Sequence, residues 1–373
     1  MGLVPGATRG SACIGFERLI DLKLQRYAFF ALIAAALFGA STPLAKLLLG
    51  ELPPIGLAGL LYLGSGVGLL AVRLAMQVWR GAYGPAPETP LAVSDYPWLA
   101  GAVIAGGVIA PILLLWGLSG ASASGASLLL NLEGVITTLI AAALFREAVG
   151  GRVWAAAALM LAAGLVLSWQ PQAEFRFSLH ALAIIGACFC WGLDNNLTRR
   201  ISATDPVVLA IIKGLAAGSF NLALAFTLGL HFPPTTALAG ALAVGFLGYG
   251  VSLVLFILAL RHLGSARTAA HFSTAPFIGA AIAIVALGET FTAPFGVALV
   301  LMVAATWLVL TERHAHQHTH EYMAHDHRHF HDEHHQHAHR GDEGPEPHAH
   351  PHEHAPITHA HPHLPDLHHR HRH

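Results

Sequence analysis

Residues 114–147 read LLWGLSGASASGASLLLNLEGVITTLIAAALFRE, and residues 256–289 read FILALRHLGSARTAAHFSTAPFIGAAIAIVALGE. The two stretches align without a gap at an offset of 142, pairing Leu118 with Leu260, Gly134 with Pro276 and Glu147 with Glu289. Earlier in each half, Phe38-Gly39 matches Trp191-Gly192 and Lys46 matches Arg199, at an offset of 153. The difference of 11 residues falls in the 80–97 loop, where Gly81, Gly84, Pro85, Pro87 and Pro90 mark a surface connector. The chain is a duplication.

Each copy is apolar. Residues 27–310 carry only 20 Asp, Glu, Lys or Arg, about 7% against the quarter or so that a soluble surface demands. A net charge of −1 favours no nucleic-acid partner. Three cysteines, with Cys188 and Cys190 inside an apolar run, exclude a disulfide scaffold. Crossing the hydrocarbon takes roughly 20 apolar residues. Ten stretches qualify: 27–49, 55–79, 97–118, 121–145, 151–169, 178–200, 206–230, 237–260, 264–287 and 291–310. The expected fold is therefore all-α and integral to the membrane, with ten transmembrane helices. Residues 1–26 form a cytoplasmic N-terminal segment ahead of an uncleaved first helix. The five-helix halves span 27–169 and 178–310, and a tail covers 311–373.

Basic residues orient it. With a cytoplasmic N-terminus, the inner side receives Arg9, Arg18, Lys23, Arg26, Arg73, Arg80, Arg146, Arg152, Arg199, Arg200, Arg261 and Arg267. The outer side receives only Lys46 and Arg176. Twelve against two places both termini in the cytoplasm of the inner (plasma) membrane. Five spans per half is an odd number, so the second copy inserts upside down. An inverted repeat puts its site near the midplane and is a transporter signature. No Walker loop appears, which points to a gradient rather than ATP.

These features resemble a known family. Two five-helix halves, each closing on Phe-Arg-Glu (145–147) or Leu-Gly-Glu (287–289), are similar to the drug/metabolite transporter superfamily, EamA type. The run Ser122 to Ser127 followed by Asn131-Leu-Glu-Gly134 resembles that family's fourth helix, with Gly134 where a Pro usually stands. The resemblance covers about residues 27–310. It implies a non-enzymatic secondary transporter, in the direction of export, of a small organic metabolite. The partners expected are the bilayer, that substrate, metal ions and, as an open option, a second copy of the chain.

A charge inside the bilayer costs at least about 2.5 kcal/mol at a helix centre, so each one calls for a reason. Glu133 falls twelve residues into a 25-residue span, where a carboxyl suits proton uptake and release or a hydrogen bond to a neighbouring helix. Ser127, Asn131, Gly134 and Thr138 share one helical face, while Glu133 lies nearer Thr137. Trp191, Asp194, Asn195 and Thr198 form a polar face with an aromatic lid, Asp194 being either a cavity residue or an interfacial ion-pair partner. Arg267, His271 and Thr274 share a face, with His271 open to a substrate-binding or a structural role. Lys213 reads as snorkelling to the inner surface, and Lys46 as an outer anchor or a gate after Pro43. The candidate pathway is Glu133, Asn131, Thr137, Trp191, Asp194, Asn195, His271 and Thr274.

The tail is different material, holding 23 of the 27 histidines. No apolar periodicity builds a core, so it is expected to be disordered. Imidazole binds Zn²⁺, Ni²⁺, Co²⁺ and Cu²⁺. His-x-His spacing lets His314, His316, His318, His320, His325, His327, His329, His331, His334, His335, His337 and His339 supply exchangeable sites. No cofactor is required for transport itself. A divalent-metal permease or a metal-responsive membrane sensor is the alternative, although the spans lack a His, Asp and Glu cluster for an ion path.

Overall fold

The computed structural model describes residues 9–80, 91–145, 151–169, 178–201, 205–229, 231, 234–263, 268, 271–311, 315–320, 323–329, 348–354 and 357–362. Its helices are α1 (Arg9–Leu48), α2 (Pro54–Arg80), α3 in three joined pieces (Tyr96–Ala102, Val103–Ile109, Ala110–Gly120) and α4 in two (Ala123–Leu129, Leu132–Phe145). Then come α5 (Gly151–Ser168), α6 (Leu179–Arg200) and α7 (Pro206–Thr227). Three more follow: α8 in three joined pieces (Thr235–Val244, Gly245–Val251, Ser252–Leu263), α9 (Ala275–Leu287) and α10 (Ala293–Leu310). Seven helical spans among the described residues are long and apolar enough to cross a membrane, and Ala275–Leu287 and Ala293–Val309 are shorter apolar helices. Helix α6 is not among them because Asp194, Asn195 and Asn196 interrupt its apolar run. Helix α1 begins at Arg9, well ahead of its apolar span Gln25–Leu48.

Packing is inside-out relative to a soluble protein. Phe29, Val78, Val285, Val300 and Trp307 are exposed, whereas the interior is rich in Ala, Leu and Gly. An apolar surface of this kind would aggregate in water. In lipid the helices gain instead from close van der Waals approach through small residues. The α2–α7 crossing shows this: a Cβ on Gly66 would lie 2.6 Å from the Leu215 amide nitrogen, and one on Gly214 would lie 2.8 Å from the Gly66 Cα. A Cβ on Gly39 of α1 would strike the Ala275 carbonyl of α9.

The two halves repeat in detail. A π-helical segment occupies Val103–Ile109 in α3 and Gly245–Val251 in α8, at the same offset of 142. Helix α4 breaks at Leu130 and Asn131, and the turn at Ser273 and Thr274 precedes α9 within a residue of that offset. Contacts between the halves follow the same exchange: α2 packs on α7, α5 on α10, α1 on α8 and α3 on α6. Likewise α1 packs on α9, and α6 on α4.

Four short segments of the tail are among the described residues. Its described residues form β1 (Ala315–His320), β2 (Met323–His329), β3 (His348–His354) and β4 (Ile357–Pro362). Strand β1 pairs antiparallel with β4, and β2 with β3. His-x-His has a period of two, which is the period of an extended strand.

Candidate functional site

Pro111 in α3 decides the centre of the molecule. Proline has no N–H, so the carbonyl four residues back loses its helical donor. The π-helical register sends the Ala110 N–H to the Ala105 carbonyl, which releases the Gly106 carbonyl as well. Side chains from other helices fill both vacancies. The Gly106 carbonyl accepts from Tyr62 Oη at 2.7 Å and Trp191 Nε1 at 2.9 Å, and the Gly107 carbonyl accepts from Asn221 Nδ2 at 3.0 Å. Single-turn π-bulges often mark functional positions, and this one joins α2, α6 and α7 at one point.

Beside it lies an ion pair. Lys213 Nζ sits 2.6 and 2.7 Å from the two Asp194 carboxylate oxygens, and Thr198 Oγ1 donates to Asp194 at 2.9 Å. Asp194 is 5% exposed. Asp194 is therefore not a wet interfacial residue, and Lys213 does not snorkel to the inner surface. Two opposite charges one helix apart in a low-dielectric interior pair with each other rather than stretch toward water. A Cβ on Gly106 would collide with the Asp194 carboxylate, so glycine is what lets the pair sit against α3.

Glu133 occupies the first turn after the break in α4, the eleventh residue of the apolar span Ala123–Ile140. The sequence placed it inside a continuous helix; the break gives it a helix N-terminus instead. Its Oε1 accepts from Asn195 Nδ2 at 2.9 Å, the same nitrogen lies 3.2 Å from Thr137 Oγ1, and Thr137 Oγ1 donates back to the Glu133 carbonyl at 2.8 Å. This trio borders open space. Asn195 is exposed and Glu133 is partly so, and a Cβ added to Gly134 would meet nothing within 4 Å. Aromatic rings pack on one another in the interior: Tyr62 and Tyr249 have centroids 5.7 Å apart, Phe38 and Tyr249 6.0 Å, and Phe38 and Phe272 5.5 Å.

Of the expected pathway residues, Glu133, Thr137, Trp191, Asp194 and Asn195 come together across α4 and α6. Asn131 turns elsewhere: its Nδ2 donates to the Leu128 carbonyl at 3.1 Å and lies 3.9 Å from Met302 Sδ on α10. Thr274 donates to the His271 carbonyl at 2.6 Å, a local bond within the turn before α9. His271 itself is partly buried there. Arg267, His314, His331, His334, His335, His337 and His339 lie outside the described residues. Within the described helices no group of three or more His, Cys, Asp or Glu gathers as a metal ligand set.

Sequence reasoning missed Tyr62, Gly106 and Asn221 altogether. The spacing Gly106-Gly107-x3-Pro111 was the available signal, since a proline frees the carbonyl four residues back.

A second constellation closes the end of the bundle where α1 finishes and α4 starts. Lys46 Nζ donates to the carbonyls of Leu118, Ser119 and Ala121 at 2.6, 3.2 and 2.8 Å, the unsatisfied acceptors at the end of α3. Glu289 accepts from the Ala123 and Ser124 amides at 2.6 and 2.8 Å, the free donors at the start of α4. Each charge matches the helix dipole it meets. Lys46 and Glu289, one from each half, thus clamp the α3–α4 turn. A cleft of about 690 Å³ bordered by Glu51, Trp116 and His231 shares none of the residues of the central cluster.

A bundle of apolar helices, interrupted at matching places in two halves and enclosing buried charge, defines a multi-pass membrane transporter. The chain belongs to the EamA-like transporter family, whose model matches residues 25–169 and 178–311, one copy per half. It is 26% identical over 296 residues to an uncharacterized transporter of Methanothermobacter thermautotrophicus (strain Delta H), covering 76% of this chain and 86% of the relative. A solved structure described only as "Crystal structure of protein" shares the fold, with a TM-score of 0.55 and 18% identity over 75% of this chain and 95% of that one.

Proposed function

We propose that the chain is a secondary-active exporter of a small organic metabolite, working by alternating access in the inner membrane with both termini cytoplasmic. The observation that carries this reading is the placement of Glu133. It is a partly exposed carboxyl at a helix break, hydrogen-bonded by Asn195, whose helix also carries the Asp194 of the Asp194–Lys213 pair. Interrupted helices that meet near the midplane are where inverted-repeat transporters hold substrate and coupling ion. The neighbouring aromatic rings suit an organic solute, and a titrating carboxyl suits coupling to protons.

Alternating access follows from the duplication. With five helices per half, the second half is read as inserted upside down, so each feature at the outer end has an inner counterpart. Lys46 corresponds to Arg199 and Glu289 to Glu147 in the repeat. Lys46 and Glu289 act as an outer latch on the α3–α4 turn, which opens for the substrate to leave; Glu147 lies outside the described residues. The metal-permease alternative is not favoured, because the described helices hold no ligand cluster.

The test is flux in oriented proteoliposomes against a panel of organic solutes and divalent metals, with and without a pH gradient. Proton-driven movement of an organic solute supports the reading, and movement of metals alone overturns it.

A further inference from the structure

The two π-helical segments keep one register. The Ala110 N–H reaches the Ala105 carbonyl in α3, and the Ser252 N–H reaches the Leu247 carbonyl in α8, at the offset of 142. Their surroundings match as well. A Cβ on Gly106 would collide with the Asp194 side chain, and one on its counterpart Gly248 would lie 2.8 Å from the Cβ of Ser41. Ser41 is the residue that corresponds to Asp194 at the offset of 153. Phe38 holds the place of Trp191, and its ring lies against that of Tyr249 in the α8 segment, with centroids 6.0 Å apart.

What differs is the supply of donors. Tyr62, Trp191 and Asn221 bring side-chain donors to the Gly106 and Gly107 carbonyls of α3, at 2.7, 2.9 and 3.0 Å. Their counterparts at the offset of 153 are Leu215, Phe38 and Gly68, none of which has a side-chain donor. The backbone differs in the opposite sense. Where α3 has Pro111, α8 has Leu253, which keeps its N–H. That N–H can serve the Gly248 carbonyl in π-helical register or the Tyr249 carbonyl in α-helical register. The carbonyl left over can therefore pass from one residue to the next along α8. In α3 no N–H exists at position 111, so the leftover carbonyls stay where they are and side chains of α2, α6 and α7 satisfy them.

We infer that the matched segments are unlike joints: α3 is pinned by Tyr62, Trp191 and Asn221, and α8 bends by shifting its bulge. Two backbone registers with similar hydrogen bonding make a two-state element, the kind of device that a helix or domain motion needs. In the transport cycle α8 then moves while α3 stays joined to α2, α6 and α7. That motion rests on the alternating-access reading; the difference between the joints does not. The duplication is thus symmetric in its backbone and asymmetric in its mechanics, with the proline and its three donors confined to the first half.

Backbone amide exchange in the full-length protein, held in lipid nanodiscs and read by mass spectrometry over residues 103–109 and 245–251, tests this without solute or flux. The α8 segment is expected to exchange at least about tenfold faster than the α3 segment, the scale set by losing one or two net hydrogen bonds. Equal exchange, or faster exchange in α3, overturns the inference. This comparison needs no substitution, so it stands even if a variant fails to fold. A second arm removes the pin: Tyr62→Phe with Trp191→Phe takes both donors from the Gly106 carbonyl and leaves an aromatic ring at each place. Exchange over 103–109 is expected to rise by at least about fivefold, with Gly151–Ser168 of α5 unchanged. An α3 segment as protected as in the parent, or a rise as large in α5 as in α3, overturns the pin. Proton-driven flux is measured separately, so a failed exchange contrast leaves the transport reading standing and absent flux leaves the joints standing.

Discussion

Lys213 on α7 holds both carboxylate oxygens of Asp194 on α6, at 2.6 and 2.7 Å, and Asp194 is almost wholly shielded from solvent. Removing one member leaves the other charged and alone in a low-dielectric interior, which costs about 3–5 kcal/mol for a buried pair. Lys213→Met is expected to lower the unfolding temperature in detergent sharply. The double variant Asp194→Leu, Lys213→Met is expected to recover most of that loss, because no lone charge remains. A single variant as stable as the parent would show that the pair does not hold α6 to α7.

Two glycines separate close packing from open space. A Cβ on Gly106 collides with the Asp194 carboxylate, whereas a Cβ on Gly134 meets nothing within 4 Å. Gly106→Ala is expected to destabilise by about 1–3 kcal/mol, the usual cost of overpacking. Gly134→Ala should be neutral or slightly stabilising, since alanine is favoured over glycine in a helix by about 1 kcal/mol. Thermal unfolding of both variants checks the contrast, and equal effects would contradict it.

The latch prediction uses accessibility. A cysteine placed at Gly134, in a background without the native cysteines, reports which side the central space opens toward. Glu289→Gln weakens the capping of the Ala123 and Ser124 amides. It should raise labelling of that cysteine from outside several-fold. Labelling equal to that of the parent would contradict the latch.

Much of this was legible beforehand. The apolar spans, the duplication and the grouping of Glu133, Thr137, Trp191, Asp194 and Asn195 follow from periodicity and from the rarity of charge in a bilayer. Partnerships between distant helices were not. In the sequence, the distance to Arg199 is the sole gauge of how deep Asp194 lies, and nothing there pairs it with Lys213, which depends on α6 and α7 lying side by side. Asn131 shares a stripe with Ser127 in an unbroken helix, but the break at Leu130 and Asn131 turns it toward Met302. The tail strands escaped notice because composition signals the lack of a core, while the two-residue period of the histidines speaks only to backbone shape.

Orientation is open to a direct check. The basic bias of twelve to two predicts that a cysteine at Gln172 is modified by an impermeant reagent added to intact cells. Cysteines at Ala86 or in the tail should react only after permeabilisation. Tail labelling from outside would reverse the topology, and with it the direction assigned to transport.

The central claim rests on Glu133 as the group that couples solute movement to protons. Glu133→Gln keeps the size of the side chain and an acceptor for Asn195 Nδ2 at 2.9 Å, while removing the titrating carboxyl. Proteoliposomes carrying this variant should show parental folding and solute exchange, but flux driven by an imposed pH gradient should fall to the level of protein-free vesicles. Gradient-driven flux equal to that of the parent protein would return Glu133 to a packing role and contradict the account.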